Sequence, residues 1–340
     1  MNKILVTGGL GYIGSHTVVA LQQAGYEVVI IDDCSNAEEN FLDRITSITN
    51  IQPHYFNIDL KKEEAVKAFF QHHKIDGIIH FAAYKAVGES VQKPLMYYRN
   101  NLLGLINVLE AMEEFDANNI IFSSSCTVYG QADQMPIDEQ TPLKRPESPY
   151  GKTKQMGEEI LEDFSTVSGK NVICLRYFNP VGAHESAKIG ELPKGIPNNL
   201  VPYVTQTAAG IRECLSVWGD DYPTRDGTAI RDYIDVNDLA DAHVKAMTRL
   251  IEKKNKTNIE FFNLGTGTGS TVLEVVNAFQ KANDLTINYQ IQGRREGDIV
   301  EAYANNTLAK TELGWEPTTP LETSLKHAWN WEQNLRAEQQ

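Results

Sequence analysis

A glycine-rich turn between a strand and a helix constrains this chain more than any other feature. The stretch TGGLGYIG (7–14) places Gly8, Gly11 and Gly14 at intervals of three, after an apolar run and at the start of a helical pattern over 12–24. Glycines there allow a tight bend, close approach of the backbone to a pyrophosphate and close packing of the helix on the strand. The turn therefore predicts an α/β sheet that binds a dinucleotide at a helix N-terminus.

An acidic residue ends the next predicted strand, EVVIID (27–32). Asp32 lies 24 residues after Gly8, near the spacing of the acid that bonds the adenosine ribose in dinucleotide-binding sheets. The residue after it is Asp33 rather than Arg, and two carboxylates would repel a 2′-phosphate. The sequence thus favours NAD over NADP.

Strands and helices alternate through the first half of the chain, and the predicted strands are apolar along their whole length. Such strands indicate a parallel sheet that is covered by helices on both faces. After Asn179 the pattern loosens and Pro and Gly become frequent. We expect an α/β chain with a Rossmann-type doubly wound parallel sheet over 1–178, joined by parts of 234–264, and a smaller α/β C-terminal substrate domain over 179–340. The predicted strands are 3–8, 27–32, 53–59, 76–83, 118–125, 171–178, 215–218, 259–264 and 286–291, and the predicted helices are 12–24, 62–73, 95–115, 150–167, 198–211, 235–251, 270–282 and 321–334.

Charge and composition argue against several classes of function. The formal net charge is −14, and an acidic chain is poorly suited to binding nucleic acid. A phosphate ligand would then need local donors, such as helix N-termini and a few Arg. No apolar run is long enough to span a bilayer, and four scattered cysteines suggest neither disulfides nor zinc. We expect no nucleic acid, membrane or metal partner, and a cytoplasmic location.

Tyr150 and Lys154 in SPYGKTK (148–154) lie four residues apart and share one face of a predicted helix. A free tyrosine, with a pKa of about 10, is a poor base, but a nearby lysine ammonium favours the phenolate. Beside NAD⁺ such a pair can accept the proton of a substrate hydroxyl while a hydride leaves the adjacent carbon. Alone, the spacing is common and fits a surface helix pair better.

The serine-rich stretch SSSCTVYG (123–130) favours the catalytic interpretation. Ser125 ends a predicted strand 25 residues before Tyr150, and sites gather at such strand ends in open α/β sheets. Ser125 is therefore placed to bond the reacting oxygen. We expect the hydroxyls of Ser123, Ser124 and Thr127 to bond local backbone groups.

A second glycine-rich stretch, NLGTGTGS (263–270), also joins a strand to a helix. The strand after it ends in Gln and Gly with no acid. We therefore expect a loop that leads into a helix rather than a second nucleotide site.

Further long segments carry a resemblance to a known family. With the glycine turn, the strand-end Ser and Tyr-x-x-x-Lys, they resemble the extended short-chain dehydrogenase/reductase superfamily and, from end to end, its UDP-hexose 4-epimerases. The resemblance implies NAD-dependent inversion at C4 of a UDP-hexose through a transient 4-keto sugar, and a homodimer packed through helices, for which 95–115 and the Tyr150 helix are candidates. The segments are HFAAYKAVGESVQKP (80–94), RYFNPVGAH (176–184), GIPNNLVPY (195–203), GDDYPTRDGTAIRDYIDVNDLADAH (219–243) and GRREGD (293–298).

The resemblance also implies roles for particular residues. The catalytic residues would be Ser125, Tyr150 and Lys154. The NAD site would use Gly8, Gly11, Tyr12, Ile13, Gly14, Asp32, Asn36, Asp59, Leu60, Phe81, Ala82, Lys85, Asn100, Tyr150, Lys154 and Phe178. The UDP-sugar site would use Ser125, Asn179, Asn199, Val217, Arg231, Arg295, Asp298 and Ala302.

Two positions depart from the pattern of some relatives. Cys126 stands where some have Ala, and both side chains are small. Ala302 stands where some carry a large Tyr that narrows the space near the sugar 2-substituent. A small residue leaves room for an N-acetyl group, so activity on UDP-GlcNAc and UDP-GalNAc is a further hypothesis.

Two alternatives stay open at the level of sequence. A nucleotide-sugar 4,6-dehydratase would need an Asp-Glu pair just after the strand-end Ser or Thr, where this chain has Cys126 and Thr127. A non-catalytic, NAD-binding regulatory protein would tend to lack the Tyr or the Lys, and this chain has both.

Overall fold

The computed structural model describes residues 1–295 and 298–338. Positions 296–297 of the GRREGD stretch and positions 339–340 of the expected second domain lie outside the described residues. The strands are β1 (Lys3–Thr7), β2 (Glu27–Ile31), β3 (His54–Phe56), β4 (Gly77–His80), β5 (Asn119–Ser125), β6 (Asn171–Tyr177), β7 (Asn179–Val181), β8 (Leu215–Trp218), β9 (Ile230–Arg231), β10 (Tyr233–Asp235), β11 (Ile259–Leu264), β12 (Ser270–Thr271), β13 (Tyr289–Gln292) and β14 (Glu301–Ala302). The helices are α1 (Tyr12–Gln23), α2 (Phe41–Thr49), α3 (Glu63–His72), α4 (Val87–Gln92), α5 (Pro94–Glu114), α6 (Pro149–Ser168), α7 (Leu200–Ala208), α8 (Val236–Ile251), α9 (Val272–Asn283) and α10 (Leu321–Glu338), with a 3₁₀ turn at Cys126–Tyr129 and a π turn at Ala309–Leu313.

The main sheet has seven parallel strands in the order β11-β6-β5-β4-β1-β2-β3. The strand order reverses between β1 and β4, so the connections that follow these strands leave on opposite faces. A crevice forms at the carboxyl ends of the strands at such a reversal. The Rossmann-type doubly wound fold predicted from the sequence is confirmed.

Each face of the sheet buries its own apolar core. Ile4 and Val6 of β1 join a core formed with α1, α2 and α8, and Leu5 between them joins a second core formed with α3, α5 and α6. All three side chains are fully buried, which stabilises the fold by about 1.5–3 kcal/mol for each. This two-sided burial is why the strands are apolar along their length.

The smaller part of the molecule is built from the later strands. They form three small sheets, in the orders β10-β7, β12-β9-β14 and β13-β8, over a core that includes Val204, Phe279 and Leu325. The chain also returns to the large sheet, because β11 pairs with β6 at its edge and α8 packs beside α1. Within the described ranges, no helix is long and apolar enough to cross a membrane.

Local chemistry explains where several elements begin and end. Gly25 follows α1 with a φ of +86°, the left-handed conformation expected after a helix. Helix α9 begins at a capping box, in which the Thr271 hydroxyl accepts from the N–H of Glu274 and the Glu274 carboxylate accepts from the N–H of Thr271. Helices α2 and α4 were not predicted, because α2 is rich in β-branched residues and α4 is six residues long.

The second glycine-rich stretch leads into α9, as predicted. Its loop is fastened by the buried carboxylate of Asp232, which accepts from the N–H of Thr266 over 2.8 Å and from that of Gly267 over 3.1 Å. The same carboxylate accepts from the N–H of Ala304 over 3.0 Å. The loop amides thus bond a carboxylate of the chain itself.

Candidate active site

A cavity of about 920 Å³ lies at the carboxyl ends of the parallel strands, between the large sheet and the smaller part of the molecule. Its wall runs from the glycine turn past Tyr150 to Arg231. It brings together residues nominated from distant parts of the sequence. The nominated residues on the wall are Gly8, Gly11, Tyr12, Ile13, Gly14, Asp32, Asn36, Asp59, Leu60, Phe81, Ala82, Lys85, Asn100, Ser125, Tyr150, Lys154, Phe178, Asn179, Asn199, Arg231, Arg295, Asp298 and Ala302.

The glycine turn has no room for side chains. Gly8 has a φ of +70°, and a Cβ there would lie 2.8 Å from the backbone nitrogen of Ala82. A Cβ on Gly14 would overlap the carbonyl oxygen of Gly8. Helix α1 starts after Gly11 with no side-chain cap, so its first N–H groups are left for another acceptor. The turn has the form of a cradle for an anionic group at a helix N-terminus.

Two carboxylates follow β2 beside this turn. Asp32 accepts from the N–H of Leu10 over 3.1 Å and from that of Cys34 over 3.0 Å. Burial raises the pKa of Asp32, and these two hydrogen bonds oppose the rise. Asp33 also lines the cavity, so a second carboxylate adds negative charge where a 2′-phosphate would lie.

Lys61 lines the cavity and was not predicted as a site residue. Its ammonium donates to Asn100 Oδ1 over 3.0 Å and pairs with Asp59 over 2.8 Å, so it joins two residues that were nominated. The available signal was a basic residue directly after Asp59 and Leu60, in a chain with a large excess of acidic residues.

Tyr150 lies in the first turn of α6, and Lys154 lies one turn further on. The helix begins at Ser148, whose hydroxyl accepts from the N–H of Gly151 over 3.1 Å, and Pro149 occupies its first position. The Lys154 ammonium is 5.9 Å from the centre of the Tyr150 ring. Helix α6 therefore presents both side chains to the cavity at the end of β5.

Burial dominates the protonation of this pair. Burial raises the pKa of Tyr150 to about 12, and hydrogen bonding with Ser125 opposes the rise. Burial lowers the pKa of Lys154 to about 7, and the charge of Glu158 opposes that fall. The Lys154 ammonium donates to the carbonyl oxygen of Ser123 over 2.5 Å, and its effect on the pKa of Tyr150 stays a prediction.

The polar side chains near Ser125 differ from the sequence prediction. The Ser124 hydroxyl donates to the side chain of Glu158 over 2.5 Å rather than to backbone. Thr127 Oγ1 is buried and has no hydrogen-bond partner among the described residues. The prediction that these two hydroxyls bond backbone groups is therefore wrong; the acceptor for Ser124 lies 34 residues away in sequence.

Basic side chains on the far wall are paired with a carboxylate. Arg231 Nη2 donates to Asp298 over 2.7 Å, and Arg295 Nη2 lies 3.5 Å from the same oxygen. Glu191 accepts from Lys85 over 2.7 Å and from the Asn199 amide over 2.8 Å. These contacts gather the local donors that the acidic composition required, and Glu191 was not foreseen because it joins segments distant in sequence.

Val217 is the nominated residue that does not line the cavity. Its side chain is 0% exposed and packs in the apolar core of the smaller part. Its neighbours in β8, Ser216 and Trp218, line the cavity instead. Because side chains alternate along a strand, a correctly predicted strand around Val217 still presents the adjacent residues to the ligand.

The parts of the chain that the structure describes contain no group of three or more His, Cys, Asp and Glu side chains that could hold a metal ion.

Known proteins resemble this chain along its whole length. The family model described as GDP-mannose 4,6 dehydratase matches residues 5–328. A UDP-glucose 4-epimerase of Bacillus subtilis is 50% identical over 330 residues, which covers 97% of this chain and 96% of the relative.

Solved structures agree in fold. The UDP-glucose-4-epimerase from Stenotrophomonas maltophila with bound NAD and formylated UDP-arabinopyranose has a TM-score of 0.96 and 43% identity, covering 99% of this chain and 100% of that chain. The UDP-glucose 4-epimerase from Bifidobacterium longum in complex with NAD⁺ and UDP has a TM-score of 0.93 and 43% identity, covering 98% of each chain. The chain therefore belongs to the family that the matching model describes and, within the extended short-chain dehydrogenases/reductases, to the UDP-glucose 4-epimerase family.

Proposed function

We propose that this chain catalyses NAD-dependent epimerisation at C4 of UDP-hexoses, converting UDP-galactose to UDP-glucose and back through a transient 4-keto sugar. One observation carries the proposal: a single cavity joins the glycine turn, the Ser125, Tyr150 and Lys154 group, and the arginines Arg231 and Arg295. A dinucleotide and a sugar nucleotide can therefore meet at the tyrosine.

Each of the two parts of the molecule would bind one of the two ligands. Residues 1–178, with parts of 234–264, would hold NAD, and the remainder of 179–340 would hold the UDP-sugar. The uncapped N-terminus of α1 would receive the pyrophosphate, and Asp32 would bond the adenosine ribose. Bound NAD⁺ would supply a hydride acceptor and a positive charge.

The chain's own residues would move one proton out and back. After its own proton has passed to solvent, the Tyr150 phenolate would accept the proton of the 4-hydroxyl and later return it, while Ser125 bonds the 4-oxygen. Lys154 adds positive charge that favours the phenolate over the protonated form of Tyr150. Arg231 and Arg295 hold the diphosphate with their planar, multi-donor groups while the sugar turns over, so the uridine end carries most of the affinity.

A 4,6-dehydratase is disfavoured, although the matching family model carries that description. Water elimination would need an acid and a base next to Ser125, and the chain has Cys126 and Thr127 there. Burial raises the pKa of the Cys126 thiol to about 12, so it is a poor proton donor at neutral pH. A regulatory role is disfavoured because Tyr150 and Lys154 both line the cavity.

Incubation of the purified chain with UDP-galactose, without added NAD, separates these functions. An epimerase that retains its cofactor yields UDP-glucose. A dehydratase yields a stable 4-keto-6-deoxy sugar, and a regulatory protein leaves UDP-galactose unchanged. Either of the last two results would contradict the proposal.

Acceptance of N-acetylated sugars is a second part of the proposal. Ala302 lies in β14, paired in register with Arg231, and lines the cavity. Its side chain is a single methyl group, and a larger residue at this position would reach further into the cavity. We therefore propose UDP-GlcNAc and UDP-GalNAc as further substrates.

We also propose that the chain forms a homodimer and is located in the cytoplasm. On α5 the apolar side chains of Leu95, Leu103 and Ile106 are exposed, Leu95 by 80%, and a second copy of this helix would bury them. Light scattering should give twice the chain mass, and a single-chain mass would count against the dimer. All four cysteines are free thiols, which suits a reducing compartment.

A further inference from the structure

Helix α6 meets the end of strand β5 through side chains spaced four residues apart. Tyr150 and Lys154 are two of them, and Glu158, one turn further on, is the third. The Lys154 ammonium donates to the carbonyl oxygen of Ser123 over 2.5 Å, and the Ser124 hydroxyl donates to Glu158 Oε1 over 2.5 Å. The helix face that carries the tyrosine and the lysine therefore also fixes the end of β5.

The carboxylate of Glu158 is held by a buried arginine. Arg176 donates to it from Nε over 2.9 Å and from Nη2 over 2.8 Å, and the two side chains are 5% and 4% exposed. Arg176 Nη1 donates to the Tyr129 hydroxyl over 2.8 Å, and its guanidinium packs against the rings of Tyr129 and Phe261. A bidentate pair of this kind fixes the carboxylate in place one helical turn from Lys154.

We propose that Glu158 is a positioning residue for the reaction: it fixes the end of β5 and supplies the negative charge that keeps Lys154 cationic. The inference rests on the proposed function, and it assigns a role to a residue that does not touch the substrate.

The groups around Lys154 leave Glu158 as its counter-charge. From the same helix, Tyr150 is protonated, because burial raises its pKa to about 12. From β4, His80 is neutral, because burial lowers its pKa to about 3. Burial lowers the pKa of Lys154 itself to about 7, and Glu158 opposes that fall. Beyond Glu158, burial raises the pKa of the Cys174 thiol on β6, so the thiol carries no charge.

Loss of the Glu158 carboxylate should lower the pKa of Lys154. Without the Glu158 charge, the effect of burial would be unopposed, and the pKa of Lys154 would fall further. A group with a lower pKa loses its proton at lower pH. Activity that needs the Lys154 cation would then be lost earlier as the pH rises.

The test compares Glu158→Gln with Glu162→Gln, which removes an exposed carboxylate one turn further along the same helix. For Glu158→Gln we expect the basic limb of the kcat–pH profile to move down by about one pH unit. On that limb kcat falls about tenfold, and KM for UDP-galactose changes by less than about twofold. Glu162→Gln should follow the unmodified chain.

A readout that needs no turnover accompanies the kinetics. The ¹³Cε signal of Lys154 in ¹³C-lysine-labelled protein, assigned by its loss in Lys154→Met, is titrated without substrate. Its apparent pKa should be lower in Glu158→Gln than in Glu162→Gln by about one unit. This titration tests the charge role even if the unmodified chain proves to have no epimerase activity, a result that counts against the proposed function alone.

Ser124→Ala tests the positioning role separately, because it leaves the pair of Glu158 and Arg176 intact. We expect kcat to fall by about three- to tenfold, with the pH profile unmoved. This variant decides the positioning role where Glu158→Gln does not fold. Unmodified kcat in Ser124→Ala overturns positioning, and an unmoved pH profile and titration in folded Glu158→Gln overturn the charge role.

Discussion

At Tyr150, burial and catalysis make opposite demands on one hydroxyl. Burial raises its pKa to about 12, so the tyrosine holds its proton at neutral pH unless positive charge is added beside it. The proposed mechanism places that charge on the cofactor and on Lys154, which a buried carboxylate one turn away helps to keep cationic. The tyrosine is then poised to take a proton when the substrate is in place and to give it back.

Replacement of this hydroxyl gives the first prediction at the residue scale. Tyr150→Phe should lower kcat for UDP-galactose by about 10²–10⁴-fold, because it removes the proton acceptor and leaves the ring in its buried position. KM should change little, since the diphosphate contacts are untouched. Tyr289→Phe, which alters an exposed ring on β13, is the matched control. Near-full kcat in Tyr150→Phe would exclude the tyrosine as the proton acceptor.

The sugar pocket gives a second prediction at this scale. Ala302→Tyr should lower kcat/KM for UDP-GalNAc at least about tenfold relative to UDP-galactose, because a large ring would occupy the space next to the sugar 2-substituent. Both substrates are assayed with the same enzyme preparation, so the ratio of their kcat/KM values is independent of the amount of active enzyme. An unchanged ratio would show that position 302 does not set the choice between the two sugars.

At the scale of elements, the glycine turn tests whether the start of α1 holds the cofactor. Gly14→Ala should lower stability by about 1–3 kcal/mol and yield a purified chain without bound NAD, since the new Cβ overlaps the carbonyl oxygen of Gly8. Gly293→Ala, in the loop after β13, adds the same atom in open space outside the cavity wall and should keep both the stability and the NAD. Thermal unfolding and the NAD released on denaturation measure the two effects. Full NAD content in Gly14→Ala would contradict the assignment.

Much at this scale could be predicted from the sequence. Apolar runs predicted the strands of the large sheet. Gly8, Asp32 and Ser125 indicated where β1, β2 and β5 end. What a local pattern cannot supply is a contact between distant segments. The pairing of Glu191 with Lys85 spans 106 residues, and that of Glu158 with Arg176 depends on how α6 lies against β6. Val217 shows a third limit, because a one-residue choice along a strand decides which side chain faces the ligand.

At the scale of the whole molecule, the chain is strongly acidic, and basic side chains that line its cavity form ion pairs with carboxylates. Arg231 is paired with Asp298, Lys85 with Glu191 and Lys61 with Asp59. The large sheet and the smaller part enclose these groups in one space with Tyr150 between them. That enclosure favours a reaction in which the hydride that leaves the sugar C4 stays within the cavity and returns to the same carbon.

Transfer of the label from UDP-galactose that carries deuterium at C4 tests this account most directly. The purified chain is incubated with the labelled sugar nucleotide in ordinary water, without added NAD, and the product is examined by NMR and mass spectrometry. We predict UDP-glucose that retains the deuterium at C4, because the hydrogen leaves and returns to the same carbon while the proton alone passes through Tyr150. Deuterium found at C6, or lost to solvent, would contradict the account.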